Sequence, residues 1–196
     1  YTCSSAIELE LIGKTIDDAA GEAFDKVASI LKLPYPGGPS IEKCAKNGNP
    51  KAIGFPRSML DKKNYDFSFS GLKTAVLYYC RGQDMKGQSK INNFSQQQIA
   101  DIAASFQAAV VDILTAKTAS AARNHNAGTV LLGGGVAANS ALREQMKNVC
   151  SENGWKLLVA EKKLCTDNAV MVASLAWHKY KQGIFANLDL EAKATA

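Results

Sequence analysis

Ten consecutive residues carry the clearest fold signal in this chain, Val130-Leu131-Leu132-Gly133-Gly134-Gly135-Val136-Ala137-Ala138-Asn139. A short apolar strand enters a turn of three glycines, and a helix begins where the turn ends. Without Cβ atoms, the glycine backbone can approach a base or a phosphate closely, and a helix start carries partial positive charge. A tight turn whose Asn139 caps the next helix explains the same pattern without a ligand, so both interpretations stay open.

Helices and strands alternate around this turn. A long helix is predicted to begin at Ser95 and to end near residue 124, and a buried strand follows at 129–132. After the turn, the pattern predicts a helix over 139–153, a strand over 155–160 and a last helix over 166–182. This order is typical of an α/β fold whose sheet is covered by helices.

The N-terminal part of the chain predicts a further strand and helix. Residues 7–11 alternate between apolar and acidic side chains, which is typical of a strand with one solvated face, and this strand is predicted to end at Gly13. Thr15 is predicted to cap a helix that Pro34 stops. Residues 40–93 show weaker periodicity and are interpreted as an irregular insertion that contains a short strand at 66–70 and a helix from Gly71.

Composition excludes several classes of protein. The 196 residues are 46% hydrophobic and 21% charged, as in a folded globular chain. No apolar run approaches the roughly 18 residues of a membrane-spanning helix, so no transmembrane helix and no membrane partner are predicted. The start at Tyr1 lacks the basic and apolar regions of a signal peptide. The net charge of +5 permits a polyanionic partner without requiring one.

The cysteines do not follow a metal-binding or disulfide pattern. There are five of them, none at CxxC spacing, and the two histidines, His125 and His178, are far apart. A zinc site built from cysteine and histidine is therefore not predicted. Reduced and mostly buried thiols in a cytosol-like compartment are the simplest interpretation.

The glycine turn also fits a dinucleotide-binding fingerprint. Gly133, Gly135 and Ala138 match its GxGxxA form, and Glu161 follows the next strand as an acid that could bind a ribose. A dinucleotide-binding fold needs several more strands after this unit. Only 35 residues follow Glu161, which disfavours this interpretation.

Acidic residues stand at two positions where ligands bind in α/β proteins. Asp167 opens the last helix after a strand, where a carboxylate could hold a metal beside phosphates or simply complement the helix dipole. Asp18, Glu22 and Asp25 share one face of the first helix. That face is either solvated or, at Asp25, placed to accept both hydroxyls of a ribose, with the loop 36–39 as a wall beside it.

Two other patterns have a functional and a structural interpretation. Ser70 and Lys73 form an S-x-x-K string, which activates a serine nucleophile in some hydrolases, but the accompanying hydrolase motifs are absent. The segment from Lys43 to Lys63 contains six basic residues and a single acidic residue, Asp61. This composition is compatible with binding to nucleic acid or with a solvated surface.

Taken together, five segments resemble the TsaD/Kae/OSGEP family, formerly described as glycoproteases. They occur in the family's order and are residues 13–26, 33–39, 66–74, 130–139 and 165–168. The resemblance implies a tRNA N6-adenosine threonylcarbamoyltransferase, which moves threonylcarbamoyl from threonylcarbamoyl-AMP to N6 of adenosine 37 in tRNAs that read ANN codons. It also implies the two-lobed, actin-like (ASKHA, RNase H-like) ATPase fold, of the bacterial or organellar branch.

The resemblance assigns roles by position. Asp25 and Gly38 would contact the ribose and adenosine part of the nucleotide, which is threonylcarbamoyl-AMP, ATP or ADP. The adenine would lie against Asn139 and the glycine turn formed by Gly133, Gly134 and Gly135. Asp167 would be a ligand of one divalent metal ion, iron or zinc. Partners would be tRNA and either TsaB and TsaE-like proteins in a bacterium or a second copy in mitochondria, with cytoplasmic, mitochondrial or plastid localisation.

The chain departs from the family pattern at its N-terminal side. The H-x-x-x-H metal pair and the Ser-Gly-Gly-His-Thr phosphate loop of the family do not occur in it. We therefore expect a C-terminal portion in which residues 1–182 form the second lobe, 183–196 form a tail and the N-terminal lobe is missing. We expect no tight metal site and doubtful catalysis from this chain alone. A non-catalytic nucleotide-binding or assembly module of the same fold is the alternative function.

Overall fold

The computed structural model describes residues 1–58, 60, 64–82 and 90–191 of the chain. Two short strands, β1 (Thr2–Cys3) and β2 (Leu9–Glu10), pair in antiparallel fashion at the N-terminus. Three helices follow in chain order, α1 (Ala20–Ile30), α2 (Gly37–Ala45) and α3 (Ser70–Arg81).

The second part of the chain contains the alternating elements that the sequence predicted. They are α4 (Gln96–Asn124), β3 (Thr129–Leu132), α5 (Ser140–Glu152), β4 (Lys156–Val159) and α6 (Ala169–Lys181). Single 3₁₀ turns precede α4, α5 and α6, at Lys90–Asn93, Gly135–Ala138 and Lys162–Leu164. Each predicted element in this part of the chain is confirmed to within a few residues.

Helix α5 connects two parallel strands. Strand β3 pairs with β4 so that Leu131 lies beside Leu158. These two side chains are 61% and 43% exposed, whereas Val130, which points the other way, is buried against α5. The α/β class is therefore confirmed, but within the described residues only one face of this sheet is covered, which corrects the expectation of helices on both faces.

Helix α4 is the central element of the core. One hydrophobic cluster packs its N-terminal half against α1, α2 and α3, with an edge-to-face contact between Phe24 and Phe106 whose ring centres lie 5.2 Å apart. A second cluster packs its C-terminal half against β3 and α5, through Val111, Val130 and Met146. Both parts of the chain are thus held together by one helix.

The length and composition of α4 are also those of a helix that could cross a membrane. The sequence predicts no such helix, because no uninterrupted apolar run approaches about 18 residues. In the fold, the apolar side chains of α4 are accounted for by the two hydrophobic clusters, and even Ser105, Thr115 and Lys117 on this helix are buried.

The first helix begins later than the sequence predicted. Thr15 forms a parallel bridge with Phe67, and its hydroxyl donates to the carbonyl of Asp18 at 2.7 Å. Helix α1 then begins at Ala20, so the predicted cap at Thr15 is wrong. Pairing of this segment with a distant part of the chain holds its backbone extended and displaces the helix start.

Residues 40–93 contain more regular structure than their weak periodicity indicated. Most of α2 and all of α3 lie in this range, and Ile41, Leu72 and Val76 are buried in the first cluster. The expected strand at 66–70 is reduced to the single bridge at Phe67. The basic residues Lys62 and Lys63 lie outside the described residues. So does the first half, 86–89, of the polar segment 86–93, for which the sequence predicts a loop.

All five cysteines are free thiols, as expected. Cys80, Cys150 and Cys165 are buried, Cys44 is half-buried and Cys3 is exposed. Burial raises the pKa of the Cys80 thiol to about 11 and also raises the pKa of Cys44 and Cys150. These three thiols therefore stay protonated at neutral pH and act as small apolar groups.

The chain that follows α2 packs closely against helix α4 at Gly48 but not at Gly54. We therefore expect alanine to change the stability of the protein differently at these two positions. A Cβ atom on Gly48 would collide with the carbonyl oxygen of Ala100, whereas a Cβ on Gly54 would meet no atom within 4 Å. We expect Gly48→Ala to lower the free energy of unfolding by about 1–3 kcal/mol, the usual cost of overpacking. Gly54→Ala, measured by the same urea titration, should change it by less than about 1 kcal/mol. Equal effects at both positions would contradict the packing at Gly48.

Candidate functional site

The junction between α1 and α2 holds two of the predicted binding residues. Oδ1 of Asp25 accepts a hydrogen bond from the backbone N–H of Gly37 at 2.8 Å, so the carboxylate caps the start of α2. A Cβ on Gly37 would lie 2.5 Å from the Cα of Asp25, which makes glycine obligatory there. At Gly38, a Cβ would meet nothing within 4 Å. The surface beside Asp25 is therefore open at Gly38.

The glycine turn presents an uncovered backbone. Gly133, Gly134 and Gly135 are exposed, and no other atom lies within 4 Å of where their Cβ atoms would be. Gly134 has φ +86°, a conformation that only glycine adopts without strain. Packing inside the protein thus does not explain glycine at positions 133 and 135. An open backbone is what close approach of a planar base requires.

Asn139 serves first as a helix cap. Its Oδ1 accepts from the backbone N–H of Leu142 at 3.0 Å, and its Nδ2 donates to Oε1 of Gln107 at 2.8 Å. Only 6% of the residue is exposed. The structural interpretation of Asn139 is therefore confirmed, and its contact with adenine stays a prediction.

The fold brings these two segments together. The Cβ position of Gly21 on α1 lies 3.6 Å from Cγ2 of Val136, directly after the glycine turn. On α2, one helical turn after Gly38, Oε1 of Glu42 accepts from the backbone N–H of Ser140 at 3.1 Å. Residues separated by about 100 positions in the chain therefore border one region.

Sequence reasoning missed Glu42. Glu42 lies in a segment for which irregular structure was expected. Its position four residues after Gly38 therefore gave no indication that the two residues lie on one helical face. Once α2 is recognised as a helix, this spacing places both residues on the same face.

Asp167 lies at the surface, in the loop before α6. Its neighbour Asn168 caps α6 by accepting from the backbone N–H of Met171 at 3.1 Å. Among the described residues, no group of three histidine, cysteine, aspartate or glutamate side chains comes together. One exposed carboxylate does not make a metal site by itself, so Asp167 could supply at most one ligand to the metal that the resemblance implies.

Glu161, the ribose acid of the alternative dinucleotide interpretation, also lies at the surface, where its carboxylate pairs with Lys163 at 2.9 Å. The described part of the chain places no strand beyond β4 beside it. Nothing in the described structure therefore adds support to a dinucleotide fingerprint.

Asp17, which the sequence did not single out, caps helix α3. Its Oδ1 accepts from the backbone N–H groups of Phe69 and Ser70, at 2.8 and 3.2 Å, and its Oδ2 accepts from the Ser68 hydroxyl at 2.5 Å. Burial raises the pKa of Asp17, but these hydrogen bonds outweigh it and the net pKa is lowered. The carboxylate therefore ties two of the resembling segments together.

Asp18 pairs with two lysines. Its Oδ1 accepts from Lys26 Nζ at 2.8 Å, and its Oδ2 lies 3.1 Å from Lys73 Nζ. The Lys26 hydrogen bond and both positive charges lower the pKa of Asp18 despite burial. Oε1 of Glu22 lies 2.6 Å from Nζ of Lys26 as well. Asp18 precedes α1, so the three acids do not form one helical face as the sequence predicted. Glu22 and Asp25 both lie on α1, where Asp25 contacts the start of α2.

The pairing of Lys73 disfavours a serine hydrolase. Lys73 Nζ lies 3.5 Å from the Ser70 hydroxyl but closer to the carboxylate of Asp18. An ion pair with a carboxylate is the arrangement of a structural lysine, not that of a base that activates a neighbouring serine. The S-x-x-K string is therefore explained by the ion pair.

The described basic residues between Lys43 and Lys63 are not all available to a polyanion. Arg57 donates to Asp112 at 2.8 Å and to the Phe55 carbonyl, whereas Lys43, Lys46 and Lys51 are exposed. Nucleic-acid binding by this segment stays a prediction.

A cavity in the described structure lies away from the predicted site. It has a volume of about 640 Å³, and Cys3, Leu9, Tyr65, Lys117 and Thr129 are among the residues that line it. None of the residues predicted to bind the nucleotide or the metal lines this cavity. The cavity is lined by residues of β1 and β2 and by residues of β3, and it is not part of the candidate site.

Comparison with known proteins identifies close relatives. A model of the TsaD family, described as tRNA N6-adenosine threonylcarbamoyltransferase, matches residues 1–174. Proteins of that name from Thermosipho africanus and Desulfotalea psychrophila are 51% and 52% identical to this chain over 185 and 180 residues. These matches cover 94% and 92% of the chain but 53% and 51% of the relatives. The chain thus spans about half the length of the curated relatives that it matches.

Gly37 and Gly38 are adjacent at the start of α2, but alanine should affect folding at one of them and ligand binding at the other. Gly38→Ala meets open space and should leave the free energy of unfolding unchanged or raise it by up to about 1 kcal/mol through helix propensity. The same methyl group would occupy the surface beside Asp25, and we expect the affinity for ADP to fall about tenfold or more, measured by calorimetry.

Gly37→Ala is the matched control. It should lower the free energy of unfolding by about 1–3 kcal/mol, because the methyl group collides with the backbone of Asp25. ADP binding by Gly38→Ala that equals wild-type binding would contradict a ligand surface at this position.

The lowered pKa of Asp17 predicts a pH-dependent contribution to stability. A depressed folded-state pKa stabilises the fold above the unfolded value, about 3.9, and this contribution is lost as pH falls through the folded value. We expect Asp17→Ala to cost about 1–2 kcal/mol at pH 7 and progressively less below about pH 4, measured by urea unfolding. Asp189→Ala, in the exposed C-terminal segment, should show no such dependence. A cost that is constant down to pH 2 would contradict the charged cap.

Proposed function

The chain belongs to the TsaD family of tRNA N6-adenosine threonylcarbamoyltransferases, and from this premise we propose that it forms the nucleotide-holding lobe of such an enzyme. The proposed reaction is transfer of the threonylcarbamoyl group from threonylcarbamoyl-AMP to N6 of adenosine 37 in tRNAs that read ANN codons. The proposed fold of the whole enzyme is the two-lobed, actin-like ATPase fold, of which this chain is the second lobe.

The chemistry of this transfer depends on positioning. A bond forms between N6 of adenosine and the carbamoyl carbon, the bond from that carbon to the phosphate oxygen breaks, and AMP leaves as N6 loses a proton. An exocyclic aromatic amine is a weak nucleophile, so holding both reactants in place must supply much of the rate. The task that we assign to this chain is to hold the AMP part.

One observation supports the proposal above the others. The α1–α2 junction, with Asp25 and Gly38, borders the same region as the uncovered glycine turn. A carboxylate can accept the two hydroxyls of a ribose, and a glycine backbone admits the face of an adenine. The pair therefore suits the two ends of an adenosine.

One metal ligand is also proposed in this chain. Asp167 would contribute one carboxylate to a site for a divalent metal ion, iron or zinc, whose other ligands are not among the described residues. When bound, such an ion would supply Lewis acidity toward phosphate or carbamoyl oxygens. The other site residues of this chain would hold the adenosine end of the reactant.

The proposed macromolecular substrate is tRNA, and the proposed protein partners are TsaB and TsaE-like proteins or a second copy of the chain. The net charge of +5 is compatible with tRNA but does not identify it. The proposed compartment is the cytoplasm.

A chimera tests the proposed function in a protein of full length. The chain replaces the 185 matching residues of the Thermosipho africanus relative, and the chimera is produced in cells depleted of their own enzyme. We expect threonylcarbamoyladenosine to reappear in tRNA, measured by mass spectrometry of nucleosides. Asp25→Asn in the chimera should lower its formation about 10- to 100-fold, because hydrogen bonds to a carboxylate are stronger than those to an amide.

Two controls make the chimera decisive. Asn keeps an acceptor for the Gly37 amide, so Asp25→Asn should fold like the parent, and Asp189→Ala, in the exposed C-terminal segment, should retain full activity. A folded chimera that forms no modified nucleoside would favour a non-catalytic assembly module. Full activity of Asp25→Asn would contradict the role of this carboxylate.

A further inference from the structure

Arg143 joins three segments that are separate in the chain. From the first turn of α5, its Nε donates to the carbonyl of Ala137 at 2.5 Å. Its Nη2 donates to the carbonyl of Ala160 at 2.7 Å and to Sγ of Cys165 at 3.3 Å. The guanidinium is thus bonded to the end of the glycine turn, to the end of β4 and to the residue that precedes Thr166 and Asp167.

The loop that carries Asp167 has few other attachments. Cys165 is 4% exposed and directs its thiol toward the carbonyls of Glu161 and Ala160. Beyond it, Thr166 and Asp167 are exposed, and no described residue of α6 is buried. Among the described residues, the contact between Arg143 and Cys165 is therefore the last hydrogen bond to another helix before Asp167.

We infer that Arg143 is a positioning residue that holds the Thr166–Asn168 loop in one orientation relative to the glycine turn. The inference deepens the proposed function and rests on it, because the turn is the proposed adenine surface and Asp167 the proposed metal ligand. Through Arg143, the two ends of a bound nucleotide would meet surfaces with a fixed separation.

The side-chain chemistry explains why arginine is required. Its planar guanidinium presents several donors at fixed angles, so one side chain reaches three acceptors at once. A lysine carries its donors on one flexible nitrogen and cannot reproduce this arrangement. Lysine at position 143 should therefore keep the charge and lose the positioning.

The test measures backbone order in the whole 196-residue chain by nitrogen-15 relaxation. In the wild-type chain we expect order parameters of about 0.8 or above at Thr166, Asp167 and Asn168. In Arg143→Lys and Arg143→Met we expect values below about 0.6 there, with the values of α4 and α5 unchanged. A merely structural arginine would lower the thermal midpoint without this local loss of order.

Arg123 supplies the matched controls. Its guanidinium makes one exposed contact, with Oδ1 of Asn153 at 3.3 Å, so Arg123→Lys and Arg123→Met should leave the loop unchanged. Order parameters that are equal in wild type and Arg143→Lys, or already below about 0.6 in wild type, would overturn the inference.

Titration with ADP separates the inference from the proposed function. In the wild-type chain, ADP should shift the amide signals of the glycine turn and of residues 166–168 together, and in Arg143→Lys only those of the turn. ADP that shifts no signal in wild type would contradict the proposed nucleotide role, while the order parameters still decide the role of Arg143.

Discussion

Burial of helix α4 on both sides is the constraint on which the rest of the structure depends. Its N-terminal half completes the core of α1, α2 and α3, and its C-terminal half completes the core of β3 and α5. Each group of elements buries apolar side chains against this one helix. The shared helix therefore sets the distance between the α1–α2 junction and the glycine turn, the two surfaces of the candidate site.

Most of the polar side chains discussed for the candidate site bind the backbone at the start of a helix. Asp17 caps α3, Asp25 caps α2, and Glu42 and Asn139 both bind the start of α5. Each of these side chains satisfies backbone N–H groups that a helix cannot pair internally. Since three of the four come from a different element than the helix they cap, the caps also lock neighbouring helices together. Asp25, the carboxylate proposed to bind a ribose, is thus also one of the caps that stabilise the fold.

The sequence was most informative where local patterns were strong. The helix predicted to begin at Ser95 is α4, where Ser95 and Gln98 form a capping box, and the glycine turn located β3 and α5. It was least informative over 40–93, because α2 and α3 are short helices stabilised by contacts with α1 and α4 that leave little local periodicity. Thr15 shows the same limit, since its bridge to Phe67 overrode a plausible cap.

For the site, the residue types and motif order determined the family and the candidate residues, because glycine turns and carboxylates at helix starts are local features. Folding decided which of them meet and which are occupied by the protein itself. Glu42 and Arg143 gained their places only through contacts across 98 and up to 22 positions. Lys73 was removed from consideration as a base by Asp18, 55 residues earlier in the chain. Contacts of this range depend on the packing of whole helices, which no local pattern encodes.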